Sequence, residues 1–334
     1  MNIPFEEFRQ RLEGFLIRQT GKDVKIESAV PLAGGASRDM WVIELSIERS
    51  HQKLVLRRDT PTTMHEQALT RAQEFAVMQV AFERGVRVAR PRWLCDDPSV
   101  LGGAFFLMDH VEGVAIGRKV VQMPELAAAR DLLPEQMAQQ LALIHSLEPP
   151  DFLPRPSRTP AQDAIHYCYT VLNNLGVSNP AFELALRWAD QHAPPCDQPT
   201  FVHGDFRIGN LIVNPQGLAA VADWEFAHVG DPLEELGYPC MRDWRFGVGH
   251  LRLGGIAERE PFLQAYERHS GRKVDRTAVD FWEFLGNVRW GVICLAQANR
   301  HLSGREPSVE LASLGRRSAE MQLEMLRLMR QMGI

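Results

Sequence analysis

Phe5, Phe8, Leu12, Phe15 and Leu16 recur at helical spacing, which predicts an opening amphipathic helix that packs on the first lobe of the chain. The period then changes. Val24 to Val30, Met40 to Ile47 and Lys53 to Arg58 are rich in β-branched and alternating apolar residues, and Gly34-Gly35 breaks the first from the second, so three strands are expected. Ala68, Ala72, Phe75, Gln79 and Phe82 return to one helical face, with Gly85 where a left-handed cap closes such a helix. Phe105 to Met108 predicts a short apolar strand running into the polar turn Asp109 to Gly113.

Beyond that turn the pattern is mostly helical. Met137, Leu141, Ile144 and His145 share a face, and further helices are expected near Ala161 to Leu175 and Ala181 to His192. Pro149 to Pro160 reads as a surface loop between helices of similar character. Leu211 to Val213 and Leu218 to Ala222 bracket Pro215-Gln216-Gly217, a strand–turn–strand signal. Near the carboxyl end Leu311, Leu314, Ser318, Met321, Met325, Leu328 and Met332 alternate steps of three and four. A terminal helix packed on its own lobe accounts for that stripe better than a dimer seam.

Length changes the picture next: 334 residues exceed what one core usually organises, so two lobes are expected. With 45% apolar and 24% charged residues, a globular core is within reach. A net charge of −5 without a long basic run argues against a nucleic-acid partner. The start MNIPFEEFRQRLEGF has no basic-then-apolar order of a signal peptide, and LGNVRWGVICLAQA is too short and too interrupted for a membrane span. Cys95, Cys168, Cys196, Cys240 and Cys294 are scattered, which fits reduced thiols and a cytoplasmic location. A monomer or a homodimer is expected.

The candidate chemistry lies in HGDFRIGN, residues 203 to 210, followed by Asp223-Trp224-Glu225. Phosphoryl transfer requires a carboxylate that orients the attacking hydroxyl and accepts its proton, together with oxygen ligands for a magnesium ion. Asp205 suits the first task; Asn210 and Asp223 suit the second. These segments, with LAGGASRDMW, KLVLRR, QEFAVM, FFLMDHVEG and VADWEFAHVGDPLEELGY, resemble the HGDxxxxN and D-x-[DE] signatures of the aminoglycoside phosphotransferase-like family, relatives of the protein kinases. Within it the chain is most similar to the branch of kinase-like domains associated with acyl-CoA dehydrogenases.

The resemblance implies an α+β, protein-kinase-like two-lobed fold: a small β-sheet lobe with one main helix over residues 1–109, a hinge at 110–113 and a larger, mostly helical lobe over 114–334. It implies ATP and Mg²⁺ as cofactors and a small-molecule hydroxyl as acceptor. Asp205 is implied as catalytic base, and Asn210 and Asp223 as magnesium ligands. Gly34, Gly35 and Ser37 would form the turn covering the phosphates, where missing Cβ atoms let backbone N–H groups approach. Arg57 occupies the place of the usual strand lysine, with Glu74 as its helix partner, although Arg58 could take that role instead. Met108, Asp109 and Val111 would offer the adenine backbone hydrogen bonds. Arg207 matches a position that stabilises charge on the transferring group, or else forms a structural ion pair with Asp231 or another carboxylate. His203 reads as a brace, Asp231 as a structural anchor and Glu225 as a second-ion or loop residue.

For the acceptor, Tyr238, Arg242, Asp243, Trp244, Trp282, Arg289 and Trp290 concentrate aromatic and basic character, suited to a hydroxy acid or hydroxyacyl-CoA. An aminoglycoside or amino-alcohol kinase, a nucleotide-binding pseudokinase, a metallohydrolase using His203, Asp205 and Asp223, and a protein kinase are the competing readings.

Overall fold

The computed structural model describes residues 4–32, 39–59 and 67–334. The chain forms two compact units: residues 1–112 with 219–226, and residues 113–218 with 227–334.

The first unit is built on a five-stranded antiparallel sheet. Helix α1 (Phe5–Thr20) leads into β1 (Val24–Pro31), β2 (Asp39–Ile47) and β3 (Ser50–Arg58), followed by α2 (Arg71–Glu83), β4 (Pro91–Cys95), α3 (Pro98–Leu101) and β5 (Phe105–Asp109). The spatial order is β1-β2-β3-β5-β4. Strand alternation sends neighbouring side chains to opposite faces. Phe105 meets Phe15 of α1 at 5.1 Å, whereas Phe106 meets Phe75 of α2 at 5.9 Å. Pairing β3 to β5 sets Arg57 opposite Phe106 and Arg58 opposite Phe105. The two adjacent arginines therefore face different helices.

Two departures from the sequence pattern stand out here. Strand β4 was not anticipated, because it opens on a proline and Trp93 reads as an isolated core aromatic. The expected face of α2 is also wrong. Gln79 and Phe82 are exposed, while Arg71, Glu74, Phe75, Met78 and Ala81 are buried. The charged pair Arg71–Glu74 occupies positions that an apolar count skips. Thr70 and Gln73 close a reciprocal capping box that starts the helix at 71 rather than 68.

The second unit contains α4 (Gly117–Gln122), α5 (Ala127–Ile144), α6 (Pro160–Asn174), α7 (Pro180–His192), β6 (Thr200–Val202), β7 (Leu211–Asn214), the first two residues of β8 (Gly217–Val221), β9 (His228–Gly230), α8 (Glu234–Gly237), α9 (Arg259–Ser270), α10 (Arg276–Leu302) and α11 (Val309–Gln331). Helices α6 and α7 each begin with a capping side chain and a proline, Thr159-Pro160 and Asn179-Pro180, where the missing N–H costs nothing. Strand β6 pairs with β9, and β7 with β8. Phe182, Leu186, Phe281, Phe284, Leu285, Val288 and Met325 knit α7, α10 and α11 into one core. The carboxyl-terminal stripe is thus buried within its own unit through Leu311, Ser318, Met321, Met325 and Leu328, although Met332 is exposed and Leu314 only partly covered. No helix among the described residues is long and apolar enough to cross a membrane, and the five cysteines are unpaired.

Gly237 lets α8 lie against the backbone of α10: a Cβ there would stand 2.6 Å from Glu283 N and 2.8 Å from Trp282 Cβ. Its φ of −78° is ordinary, so any penalty is steric. Gly237→Ala is expected to destabilise the protein by about 1–3 kcal/mol, read as a lower denaturant midpoint; an unchanged midpoint would show that α10 yields.

Candidate active site

In the second unit, the segment between β6 and β7 alternates apolar and polar residues. Phe206 and Ile208 are fully buried, which leaves Asp205 and Arg207 on the opposite side of the backbone. Gly204 and Gly209 adopt φ of 83° and 110°, the left-handed bends that shape the loop. The Asp205 carboxylate is held from several directions. Arg207 Nε donates to Oδ1 at 3.0 Å, Asn210 Nδ2 donates to Oδ2, and the Tyr238 hydroxyl supplies a further bond. Burial first, and then the Asp205 charge, pushes the Tyr238 phenol well above its usual range, so it stays a donor. The Arg207 guanidinium lies over the Trp244 ring at 4.2 Å, a cation–π contact that fixes its reach. Asp205, Arg207 and Asn210 are therefore brought together as the sequence pattern anticipates, and Arg207 pairs with Asp205 rather than Asp231.

Asn210 Nδ2 also donates to the Asp205 carbonyl at 2.9 Å. Two acceptors on one side fix the amide orientation, so Oδ1 points away, with no hydrogen bond among the described residues. That oxygen is a suitable hard ligand for a magnesium ion.

The loop is anchored by a residue the sequence reading missed. The buried Glu235 carboxylate accepts from His203 N and Gly204 N, each at 2.8 Å, and from His145 Nε2 at 3.1 Å. His145 Nδ1 in turn meets the Tyr266 hydroxyl at 2.7 Å. Burial raises the Glu235 carboxyl, but the bond and charge of His145 and the proximity of His203 outweigh it and hold the group below its ordinary value. His203 braces the loop from within, its Nδ1 accepting from Asp205 N at 3.2 Å. Asp231 serves elsewhere, accepting from Leu233 N at 2.9 Å and Trp282 Nε1 at 3.0 Å. The only signal for Glu235 was a third acidic residue inside GDPLEELGY, on an element too short to show a period.

Of the residues considered for the acceptor, Tyr238, Trp282 and Arg289 line one pocket with Gly204. Arg242 instead pairs with Glu324, and Asp243 is taken by Arg317 and Trp290 Nε1.

In the first unit, Arg57 Nη2 lies 3.1 Å from Glu74 and donates to Asp223 Oδ1 at 2.7 Å. Arg71 joins the group through Asp59 at 2.8 Å and through Glu74, and both guanidinium groups approach Glu225 at 3.8 Å. Burial pushes the Glu74 carboxyl up, against the pull of Arg57 and Arg71. Two guanidinium groups thus face four carboxylates in a mostly buried network. Asp223 has φ of 67°, a left-handed bend that Asp tolerates better than most residues. Arg58 donates to the Leu101 carbonyl on the other face of the sheet, which settles which arginine meets Glu74. In the Met108–Val111 stretch, Asp109 N and His110 N are engaged by Arg90 O and Lys53 O, and the Asp109 side chain by Arg92; Val111 N makes no backbone bond among the described residues. Gly34, Gly35 and Ser37 lie outside the described residues. Among the described residues, no group of three or more His, Cys, Asp or Glu is placed to hold a metal ion.

Residues 28–282 match the phosphotransferase enzyme family. The chain belongs to that family. Its two-lobed, kinase-like fold is shared with solved relatives. A candidate aminoglycoside phosphotransferase from Ralstonia eutropha JMP134 superposes with a TM-score of 0.75 at 24% identity, covering 96% of this chain and 98% of that one. A spectinomycin phosphotransferase solved with ADP and spectinomycin gives 0.62 at 13%, covering 95% and 98%. A choline/ethanolamine kinase family protein from Mesorhizobium loti gives 0.59 at 17%, covering 96% and 95%. Among curated proteins, acyl-CoA dehydrogenase family member 10 of Mus musculus is 26% identical over 344 residues, 96% of this chain and 31% of the relative. Family member 11 of Homo sapiens is 26% identical over 277 residues, 78% of this chain and 35% of that protein. This phosphotransferase chain thus spans about a third of the length of those relatives.

Glu235→Gln is expected to lose about 1–3 kcal/mol in urea unfolding, since a single amide oxygen cannot serve two backbone donors and His145 together. Equal stability would show that the loop holds itself. Asp231 titrates near 6 instead of 3.8, chiefly through burial. A carboxyl raised on folding stabilises the fold below pH 4 and loses that contribution as pH rises through 6. Wild type should therefore lose up to about 3 kcal/mol relative to Asp231→Asn across this window; parallel stability–pH curves would contradict it.

Proposed function

We propose that this phosphotransferase moves the γ-phosphoryl group of ATP, with Mg²⁺, onto a hydroxyl of a small molecule, with a hydroxy acid or hydroxyacyl-CoA as the acceptor class. The observation that carries the reading is the Asp205 carboxylate, oriented by Arg207, Asn210 and Tyr238. The adenine nucleotide bound by the spectinomycin phosphotransferase supports ATP. The acyl-CoA dehydrogenase relatives favour an acyl acceptor over an aminoglycoside or amino alcohol.

In this reading the first unit binds nucleotide: Gly34, Gly35 and Ser37 cover the phosphates, Arg57 paired with Glu74 contacts them, and Met108, Asp109 and Val111 meet adenine in and beside a hinge at 110–113. Of these backbone groups, Val111 N is the donor left open by the sheet. Asn210 Oδ1, in the second unit, and Asp223, in the first, would be the ligands of the magnesium ion, which would supply charge neutralisation on the phosphates. Asp205 accepts the proton of the acceptor hydroxyl as that oxygen bonds to the γ-phosphorus. The bond from phosphorus to the departing ADP oxygen breaks in the same exchange. Arg207, aligned by Trp244, balances charge on the transferring group.

The test is acceptor-dependent ADP formation across hydroxy acids, hydroxyacyl thioesters, amino alcohols and aminoglycosides. With the best acceptor, Asp205→Asn should reduce kcat by about 10²–10⁴-fold while ATP affinity stays unchanged. A variant that turns over like wild type would remove Asp205 as the base, and equal backgrounds for both proteins with every acceptor would favour a nucleotide-binding pseudokinase.

A further inference from the structure

The buried ion network of the first unit turns on one nitrogen. Arg57 Nη2 lies 2.7 Å from Asp223 Oδ1, 3.1 Å from Glu74 Oε1 and 3.8 Å from Glu225 Oε2. Arg57 Nε, by contrast, is buried and makes no hydrogen bond among the described residues. The guanidinium is therefore not used as the two-pronged fork that arginine usually offers a carboxylate. Its tip stands among oxygens of three carboxylates, as a point cation would. Of those three side chains Glu74 and Glu225 are 1% and 7% exposed, whereas Asp223, at 32%, is the one that solvent ions can approach. Arg71 meets the other members of the network, Asp59, Glu74 and Glu225. Four carboxylates against two guanidinium groups leave the network short of positive charge, so the cation held at Asp223 matters to its balance.

Asp223 is also the residue that the phosphotransfer reading makes a magnesium ligand. One carboxylate charge serves two cations poorly: a guanidinium at 2.7 Å weakens the attraction that a second cation feels at either oxygen, and the two positive charges repel. We propose that Arg57 is a placeholder for the metal ion, its Nη2 neutralising Asp223 in the free protein and weakening metal binding there until nucleotide phosphates compete for the guanidinium. This rests on the phosphotransfer reading above and adds to it an antagonism inside the site: free metal is disfavoured, and metal accompanied by phosphate is accepted. Arginine suits such an exchange, because it keeps its charge at any working pH and finds in a phosphate oxyanion a partner equivalent to the carboxylate it leaves.

The test titrates Mn²⁺, an EPR-visible substitute for Mg²⁺, into the full chain without nucleotide. Arg57→Met should bind Mn²⁺ at least about fivefold more tightly than wild type, and Mg²⁺ should displace it. The gain should vanish in the double variant Arg57→Met, Asp223→Asn. Equal or weaker affinity in Arg57→Met, or a gain that survives Asp223→Asn, would overturn the proposal. Should Arg57→Met not fold, Arg57→Gln, which is neutral yet can still donate to Glu74, is judged by the same criteria. Acceptor-dependent ADP formation by wild type keeps the two readings apart. Turnover together with equal Mn²⁺ affinities defeats the placeholder alone. Tighter Mn²⁺ binding in Arg57→Met, with no turnover of any acceptor by wild type, defeats phosphotransfer and leaves the antagonism at Asp223 standing.

Discussion

The Glu235 carboxylate carries a constraint on which the second unit's chemistry depends. A reactive loop must expose polar side chains, and its own backbone N–H groups then lack partners in regular structure. Here two of those groups end on one buried carboxylate, which is itself kept charged by His145. The chain His145–Glu235–loop ties the end of α5, the start of α8 and the segment after β6 to a common point. With the backbone fixed at 203 and 204, the alternation that follows needs no further adjustment: Phe206 and Ile208 go inward, and Asp205 and Arg207 take their places outward.

The first unit solves a different problem. Arg57, Arg71 and Glu74 are nearly inaccessible, yet they are ionisable. Such groups persist because each guanidinium reaches more than one carboxylate, so the desolvation cost is spread over a network rather than one pair. A positive φ at Asp223 aims its carboxylate at Arg57, so local strain is coupled to a long-range ion pair, between residues far apart in the chain.

This network marks the limit of what the sequence could reveal. Strands β1 to β3 and β5, helices α6 and α7 and the terminal helix were legible, because apolar periodicity reports burial. Helix α2 was located but turned to the wrong face, because the rule equates burial with apolar character and Arg71 and Glu74 break it. Strand β4 was hidden by its proline. In the site, Asp205, Arg207 and Asn210 sit within six residues of one another, so a local motif was enough to group them, and Arg57 with Glu74 followed from position in the pattern. Glu235, Arg71 and the bond from Tyr238 to Asp205 were not legible, since each depends on residues distant in sequence whose proximity only folding creates. The choice between Arg57 and Arg58 likewise needed strand register, which one-residue shifts invert.

The division of the chain also bears on how such a protein can be inherited. Residues 219–226 return to the first unit from the middle of the second, and they bring Asp223 and Glu225 with them. No single cut separates the sheet with its buried arginines from the helical unit while leaving both charge sets intact. Shuffling genes at 112 would strand Arg57 and Arg71 without half their partners. The heritable module is therefore the whole stretch through both crossings.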